Sequence, residues 1–243
     1  MDMDSGKRPP VTSEELQQGW GAGNWPPDVG VEPFYSDDWV VIYHGDCREI
    51  LPKLPKVDLV LTDPPYNVGV DYGEHNDRMG KEEWQSWARE WFIPCRAMSD
   101  TVLITGQPRL PDYATIEPWK WLICWWKPAA MGRSPMGFCN WEPVALWGRG
   151  ESGATDFVRA PIVPDGAVDW HPCPKPILWA KGLIALFTSA QIILDPFMGS
   201  GTTLRAAKDL NRRAIGIEIE EKYCEGAARR MSQEVFDFTK PVS

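Results

Sequence analysis

Residues 191–220 read QIILDPFMGSGTTLRAAKDLNRRAIGIEIE, and this stretch decides the fold. QIILD is an apolar run of strand length, closed by a turn containing Pro196, Gly199 and Gly201. TTLRAAKDLN carries helical spacing, and RRAIGIEI is a second buried strand. A strand, turn, helix and strand in this order build a parallel sheet. Working outward, EEKYCEGAARRMSQE (220–234) predicts a closing helix and KPILWAKGLIALFTS (175–189) a preceding one. Upstream, DWVVIYHGD (38–46), VDLVLT (57–62), TVLITG (101–106), WKWLICWWK (119–127) and WEPVALWG (141–148) predict strands. PDYATIEPW (111–119) reads as a short helix or turn. KEEWQSWAREWFIPC (81–95) sets Trp84, Trp87, Trp91 and Phe92 at helical spacing, a pattern that reads as core. The expectation is one α/β domain over residues 39–243 with a mainly parallel sheet.

Composition sets the outer bounds. With 243 residues, 43% hydrophobic and 24% charged, the chain fits a globular domain with one sizeable core. No apolar run approaches the roughly 20 residues that span a bilayer, and MDMDSGKRPP is not a secretory signal. The six cysteines are scattered, without a C-x-x-C pair or a Cys/His cluster. Reduced thiols, no metal site, no membrane partner and a cytoplasmic location are expected. Residues 1–38, rich in proline, glycine and acids, are expected to form an arm, with Trp20 and Trp25 docking on the body. They hold eight acids against two bases, a net of -6, which leaves -3 of the chain's -9 for the remainder. Residues 119–150 are locally +3, and Lys127, Arg133 and Arg149 are candidate phosphate contacts, although charge alone favours a solvated face. Residues 148–170 are expected as a short irregular insertion, a candidate target-recognition segment.

Two constellations carry chemistry. Asp63-Pro64-Pro65-Tyr66 stands at the carboxyl end of a predicted buried strand, the edge where open α/β sheets place ligands. The Asp63 carboxylate and the Pro64 carbonyl could accept the two N–H groups of an exocyclic amine, and Tyr66 offers a ring for a flipped base. A capped proline turn is the plain structural alternative, yet average residue usage yields this tetrapeptide in about one chain in a thousand of this size. The second constellation is the glycine turn at 196–203. Its glycines admit a cofactor close to the backbone, and the helix behind it presents unpaired N–H groups that Thr202 or Thr203 could cap. Alone, G-x-G would suit a nicotinamide enzyme or a structural turn equally, and Leu204 stands where a dinucleotide fingerprint needs its third glycine. Glu218 ends the next strand, placed either to bind ribose hydroxyls or to cap a turn.

In the order TDPPYNVG (62–69), HPCPKP (171–176) and LDPFMGSGTT (194–203), the chain resembles the DNA amino-methyltransferases in their beta arrangement, over about residues 38–233. The resemblance implies a Rossmann-like seven-stranded sheet with one antiparallel strand, helices on both faces, and S-adenosylmethionine as cofactor. It implies that Asp63, Pro64, Pro65 and Tyr66 handle the target amine and base. It further implies a cofactor set of Asp46 and Cys47 near the adenine, Glu218 and Ile219 at the ribose, and Phe197, Gly199 and Gly201 along the wall. Ser200 and Thr202 would stand at the methionine end, with Asp195 beside Asp63 and with Lys175 on the methionine carboxylate. Pro174 stands where relatives commonly show a polar residue, and His171 reads as a loop residue rather than a base. His44 and His75 have no supporting context. Asp first in the tetrapeptide implies adenine N6, and the catalytic-before-cofactor order of the motifs implies DNA as substrate of a bacterial or phage enzyme, with room for a homodimer. Cytosine N4, RNA adenine or a glutamine amide are the rival acceptors. A non-catalytic nucleic-acid-binding protein of the same fold is the rival from another class.

Overall fold

The computed structural model describes residues 25–70, 73, 77–106, 108–128, 130, 132–151, 153–162 and 170–233. The strands are β1 (Tyr35–Ser36), β2 (Val40–His44), β3 (Leu59–Thr62), β4 (Thr101–Thr105), β5 (Trp121–Trp126), β6 (Gly132–Ser134), β7 (Gly137–Cys139), β8 (Trp141–Gly148), β9 (Phe157–Arg159), β10 (Ile192–Asp195) and β11 (Arg213–Glu218). The helices are α1 (Cys47–Ile50), α2 (Lys81–Met98), α3 (Leu110–Ala114), α4 (Ile177–Ala185), α5 (Thr202–Asp209) and α6 (Glu221–Ser232), with a 3-10 turn at Leu51–Lys53.

The main sheet runs β1-β2-β11-β10-β3-β4-β8-β5-β9, and β6-β7 form a separate hairpin. The seven strands from β2 to β5 match the expected architecture: β8 alone runs against its neighbours β4 and β5. Two short strands extend this sheet, β1 antiparallel to β2 and β9 parallel to β5. Both faces are covered, so successive strand residues alternate between two cores. Val41, Tyr43, Val60, Ile104, Leu194 and Ile215 face α2 with its Trp84, Trp87, Trp91 and Phe92. Ile42, Leu61, Leu103 and Ile193 face α4, α5 and α6 through Trp179, Leu183, Leu204 and Ala227. The α2 aromatics are buried as their spacing predicts, each contributing roughly 1.5–3 kcal/mol by leaving water.

Three expectations need correction. The amino-terminal segment is part of the domain from Trp25 onward, not an arm to residue 38. Phe34 N–H donates to Ile42 O at 2.8 Å, β1 pairs with β2, and Val29 is buried in the α2 core. Trp25 docks as expected, its indole N–H on Asp37 O at 2.8 Å and the Arg213 guanidinium over its ring; Trp20 lies outside the described residues. The insertion at 148–170 is not wholly irregular, because Phe157–Arg159 is the edge strand of the sheet. Thr202 and Thr203 do not cap α5: its N-cap is Gly201, and the two hydroxyls are used elsewhere. Among the described residues no helix is long and apolar enough to cross a membrane.

Candidate active site

From β10 the chain moves outward to β11, whereas from β3 it moves the other way to β4. Connections that diverge from two adjacent strands leave a crevice at their carboxyl ends, where ligands of open α/β sheets bind. Asp63 follows β3 and Asp195 ends β10, and Thr62 Oγ1 ties the two strand ends by donating to Asp195 Oδ1 at 2.8 Å. A cavity of about 430 Å³ opens there, within the range of small-molecule sites. Its wall includes Asp46, Cys47, Asp63, Pro65, Lys175, Asp195, Phe197, Gly199, Ser200, Thr202, Glu218 and Ile219. Asp63 and Pro65 of the tetrapeptide thus meet the predicted cofactor residues around one space, whereas Pro64, Tyr66 and Gly201 do not line it.

Asp63 is held by three donors. Tyr66 Oη and Thr105 Oγ1 both donate to its Oδ1, and Lys175 Nζ pairs with its Oδ2 at 2.8 Å. Lys175 Nζ also lies 3.2 Å from Tyr66 Oη and 5.4 Å from that ring's centroid. Burial opposes the charge on Lys175, but the Asp63 carboxylate and the Tyr66 oxygen outweigh it and hold the ammonium firmly protonated. Burial, then the Asp63 charge, pushes the Tyr66 phenol well above its ordinary range. Pro64 is buried behind the wall that Pro65 lines. Arg109 pins the loop after the tetrapeptide, donating to Tyr66 O at 2.6 Å and Asn67 O at 2.8 Å.

The opposite wall is the glycine turn. Gly199 has φ +47° and its N–H donates to Glu218 Oε2 at 2.9 Å, while Glu220 N–H donates to Glu218 Oε1 at 2.9 Å. Burial nonetheless lifts the Glu218 carboxyl to about 7, and lifts Asp195 to about 6 against hydrogen bonds from Thr203, Thr62 and Phe197 N–H. A Cβ on Gly199 would stand 2.6 Å from His171 Nε2, and His171, half-buried against Tyr223 with ring centroids 4.7 Å apart, is pushed down to about 4 by desolvation. Thr202 Oγ1 donates to Lys175 O at 3.0 Å and lies 3.2 Å from Ser200 Oγ. Phe197 packs edge-on to Trp91 and against Trp87, so the aromatic core of α2 supports the cavity from below. Asp46 caps α1 through Arg48 N–H at 2.9 Å and chelates the Arg48 guanidinium, which also reaches Glu90. Carboxylates outnumber cations along the wall, with Asp46, Asp63, Glu83, Glu90, Asp195, Glu218 and Glu220 against Arg48 and Lys175.

The structure does not gather the predicted phosphate contacts. Lys127 is buried and paired with Glu142, its ammonium over Trp125, so desolvation has been met by an internal partner. Arg149 follows β8 at the amino ends of the parallel strands, where Thr101 pairs with Gly148, on the edge opposite the cavity. The Arg133 side chain and His75 lie outside the described residues. His44, without context in the sequence, lies 2.9 Å from Ile219 O through Nε2. Sequence reasoning missed Thr105, whose only signal was its place at the end of the strand next to β3, and the contact of Lys175 with Asp63, which no spacing encodes.

Comparison with known proteins bears on this geometry. The family model described as DNA methylase matches residues 57–105 and 141–229, including the tetrapeptide, the glycine turn and Glu218. Among curated proteins, the chain is similar to the type II methyltransferase M.ScaI of Streptomyces caespitosus, at 27% identity over 84% of each chain. It is 26% identical to the type II methyltransferase M.HpaI of Haemophilus parainfluenzae, covering 75% of this chain and 70% of the relative. Among solved structures, the M1.HpyAVI–SAM complex superposes with a TM-score of 0.58 at 26% identity, over 80% of this chain and all of that one. The PvuII DNA methyltransferase, cytosine-N4-specific, shares the fold with a TM-score of 0.69 at 17% identity, over 85% and 91%. With more than half its length matched, the chain belongs to the N6/N4 DNA methylase family, the amino-methyltransferases of DNA.

Proposed function

We propose that this protein transfers a methyl group from S-adenosylmethionine to N6 of adenine in DNA. The observation that carries the reading is the Asp63 carboxylate, set at the carboxyl end of β3 and facing the cavity it shares with the glycine turn. The cavity fits the cofactor: a wall rich in carboxylates suits a ligand bearing a sulfonium and an ammonium, and Gly199 keeps the backbone low beneath it. Glu218 and Ile219 would hold the ribose, Asp46 and Cys47 would stand near the adenine, and Phe197 would pack on it. Asp195, Ser200, Gly201 and Thr202 would shape the methionine end. When bound, S-adenosylmethionine supplies an activated methyl group on its sulfonium. Asp63 would accept an N–H of the target amine, offset the positive charge that grows on the nitrogen, and stand ready to receive the proton it sheds. Thr105 fixes that carboxylate by donating to Oδ1. Tyr66 would lie against the flipped base.

Adenine is favoured over cytosine because Asp, not Ser, opens the tetrapeptide. Methylation-sensitive long-read sequencing of DNA from a methylation-free host expressing the protein tests this. N6-methyladenine at a fixed sequence motif is expected. N4-methylcytosine instead would overturn the choice of base while leaving the reaction class, and unmodified DNA would overturn both.

A further inference from the structure

We infer that Lys175 is a positioning residue for the transfer: its ammonium fixes the Asp63 carboxylate so that one acceptor direction, on Oδ2, is left for the target amine. This rests on the proposed reaction, but its geometry is independent of it. An ionised carboxylate has about four lone-pair directions. In Asp63, Tyr66 and Thr105 take the two on Oδ1, and Lys175 takes one on Oδ2 at 2.8 Å. One direction remains, and the ammonium decides which. Lys175 is also the link between the two halves of the site. Its carbonyl accepts from Thr202 at the start of α5, so the main chain is anchored to the glycine turn while the side chain reaches the tetrapeptide. An Asp63–Lys175 pair with little solvent exposure restricts both groups far more than a surface pair would.

The resemblance placed Lys175 on the methionine carboxylate of the cofactor, and that role predicts different behaviour. A cofactor ligand changes affinity for S-adenosylmethionine. A residue that sets Asp63 changes turnover and its pH dependence, because removing the ammonium leaves Asp63 facing Tyr66, Tyr113, His171 and Asp195 with no cation paired to it. Glu142, the other charge near Lys175, is itself paired with Lys127.

The test uses the full chain and the variants Lys175→Met and Lys175→Gln. For Lys175→Met, S-adenosylmethionine affinity by calorimetry is expected within about threefold of wild type, with kcat on duplex DNA down about thirtyfold or more. The acid limb of its kcat profile should move upward, since the lost ammonium no longer favours negative charge at the site that accepts the amine. Lys175→Gln, which keeps a donor without charge, should recover part of kcat and none of the shift. Lysine-selective Nζ NMR of the free protein adds a readout that needs no activity. One ammonium signal protected from exchange is expected, absent in Lys175→Met and displaced in Asp63→Asn. Affinity reduced about thirtyfold with kcat and its pH profile intact at saturating cofactor would make Lys175 a cofactor ligand and overturn the inference. No protected signal, or one indifferent to Asp63→Asn, would overturn it as well. A wild type that methylates no DNA would instead retire the proposed reaction, while the NMR comparison still decides whether Lys175 holds Asp63.

Discussion

At the scale of single residues, the proposed function rests on a few carboxylates with different surroundings. Asp63 is met by an ammonium and two hydroxyls, whereas Glu218 is buried and, among the described residues, accepts from two backbone N–H groups. Asp63→Ala is therefore expected to abolish methyl transfer while cofactor affinity stays within several-fold. Turnover above about a tenth of wild type in a tritiated-methyl assay would contradict the assignment. Glu218 should make cofactor binding pH-dependent. Its folded carboxyl is raised from 4.5 to about 7, so near neutrality the free protein carries part of a proton that an ionised ribose acceptor must release. Affinity should rise with pH through about 7, and calorimetry in buffers of unlike ionisation enthalpy should show the released proton. Glu218→Gln should flatten both. The same group contributes stability that is fully present below 4.5 and is lost as pH rises through about 7. His171, lowered from 6.5 to about 4, acts in the other direction: its contribution is present above 6.5 and lost as pH falls through about 4.

At the scale of elements, the glycine turn is held by its neighbours as well as open to a ligand. Gly201 sits at φ +73°, and a Cβ there would stand 3.0 Å from Ala227 Cβ on α6 and 3.3 Å from Met231 Cε. A Cβ on Gly199 meets His171. Gly199→Val and Gly201→Val are thus expected to lose cofactor affinity through displacement of His171 and α6, not only through filled space. Even Gly201→Ala should cost about 1–2 kcal/mol from its left-handed backbone, read as a lowered Tm. A Gly201→Val protein with wild-type Tm and affinity would refute this account of the turn. The amino-terminal segment belongs to the same scale. Removing residues 1–38 deletes β1, the buried Val29, the stacking of Arg213 on Trp25 and the Asp37–Lys208 ion pair. A destabilisation of at least about 2 kcal/mol is expected from the burial alone, and a truncated protein melting with the wild type would disprove that the segment is structural.

At the scale of the whole molecule, the candidate site lies at the carboxyl edge of the sheet, with Arg149 on the opposite, amino edge. Lys127 is spent on Glu142. Arg149→Gln should leave the salt dependence of DNA binding unchanged, whereas neutralising a side chain that does hold a phosphate would lower the slope by about one unit. Lys127→Gln should act on stability, since Glu142 would keep a half-buried charge without its partner. Fluorescence anisotropy of duplex DNA against salt separates the two effects. A slope reduced by Arg149→Gln would place DNA on the amino edge and displace the proposed site.

The sequence by itself determined the order of the seven central strands and of the longer helices, the aromatic face of α2 and the residues of both candidate motifs. Those properties are local: periodicity, proline and glycine punctuation, and a rare tetrapeptide after an apolar run are all written within about 20 residues. It also determined that Asp63 and Glu218 would share a site, because parallel strands bring their carboxyl ends to one edge. Only the tertiary structure decided the partners. Thr105 reaches Asp63 because β4 lies in register beside β3. Lys175 reaches it across 112 positions because Thr202 anchors its main chain to the other side of the cleft. Lys127 and Arg149 counted alike as positive charge in the sequence, yet one is turned inward and the other sits on the far edge. The reason is physical: charge is a property of a residue, but burial, pairing and the edge it faces are properties of strand order and packing.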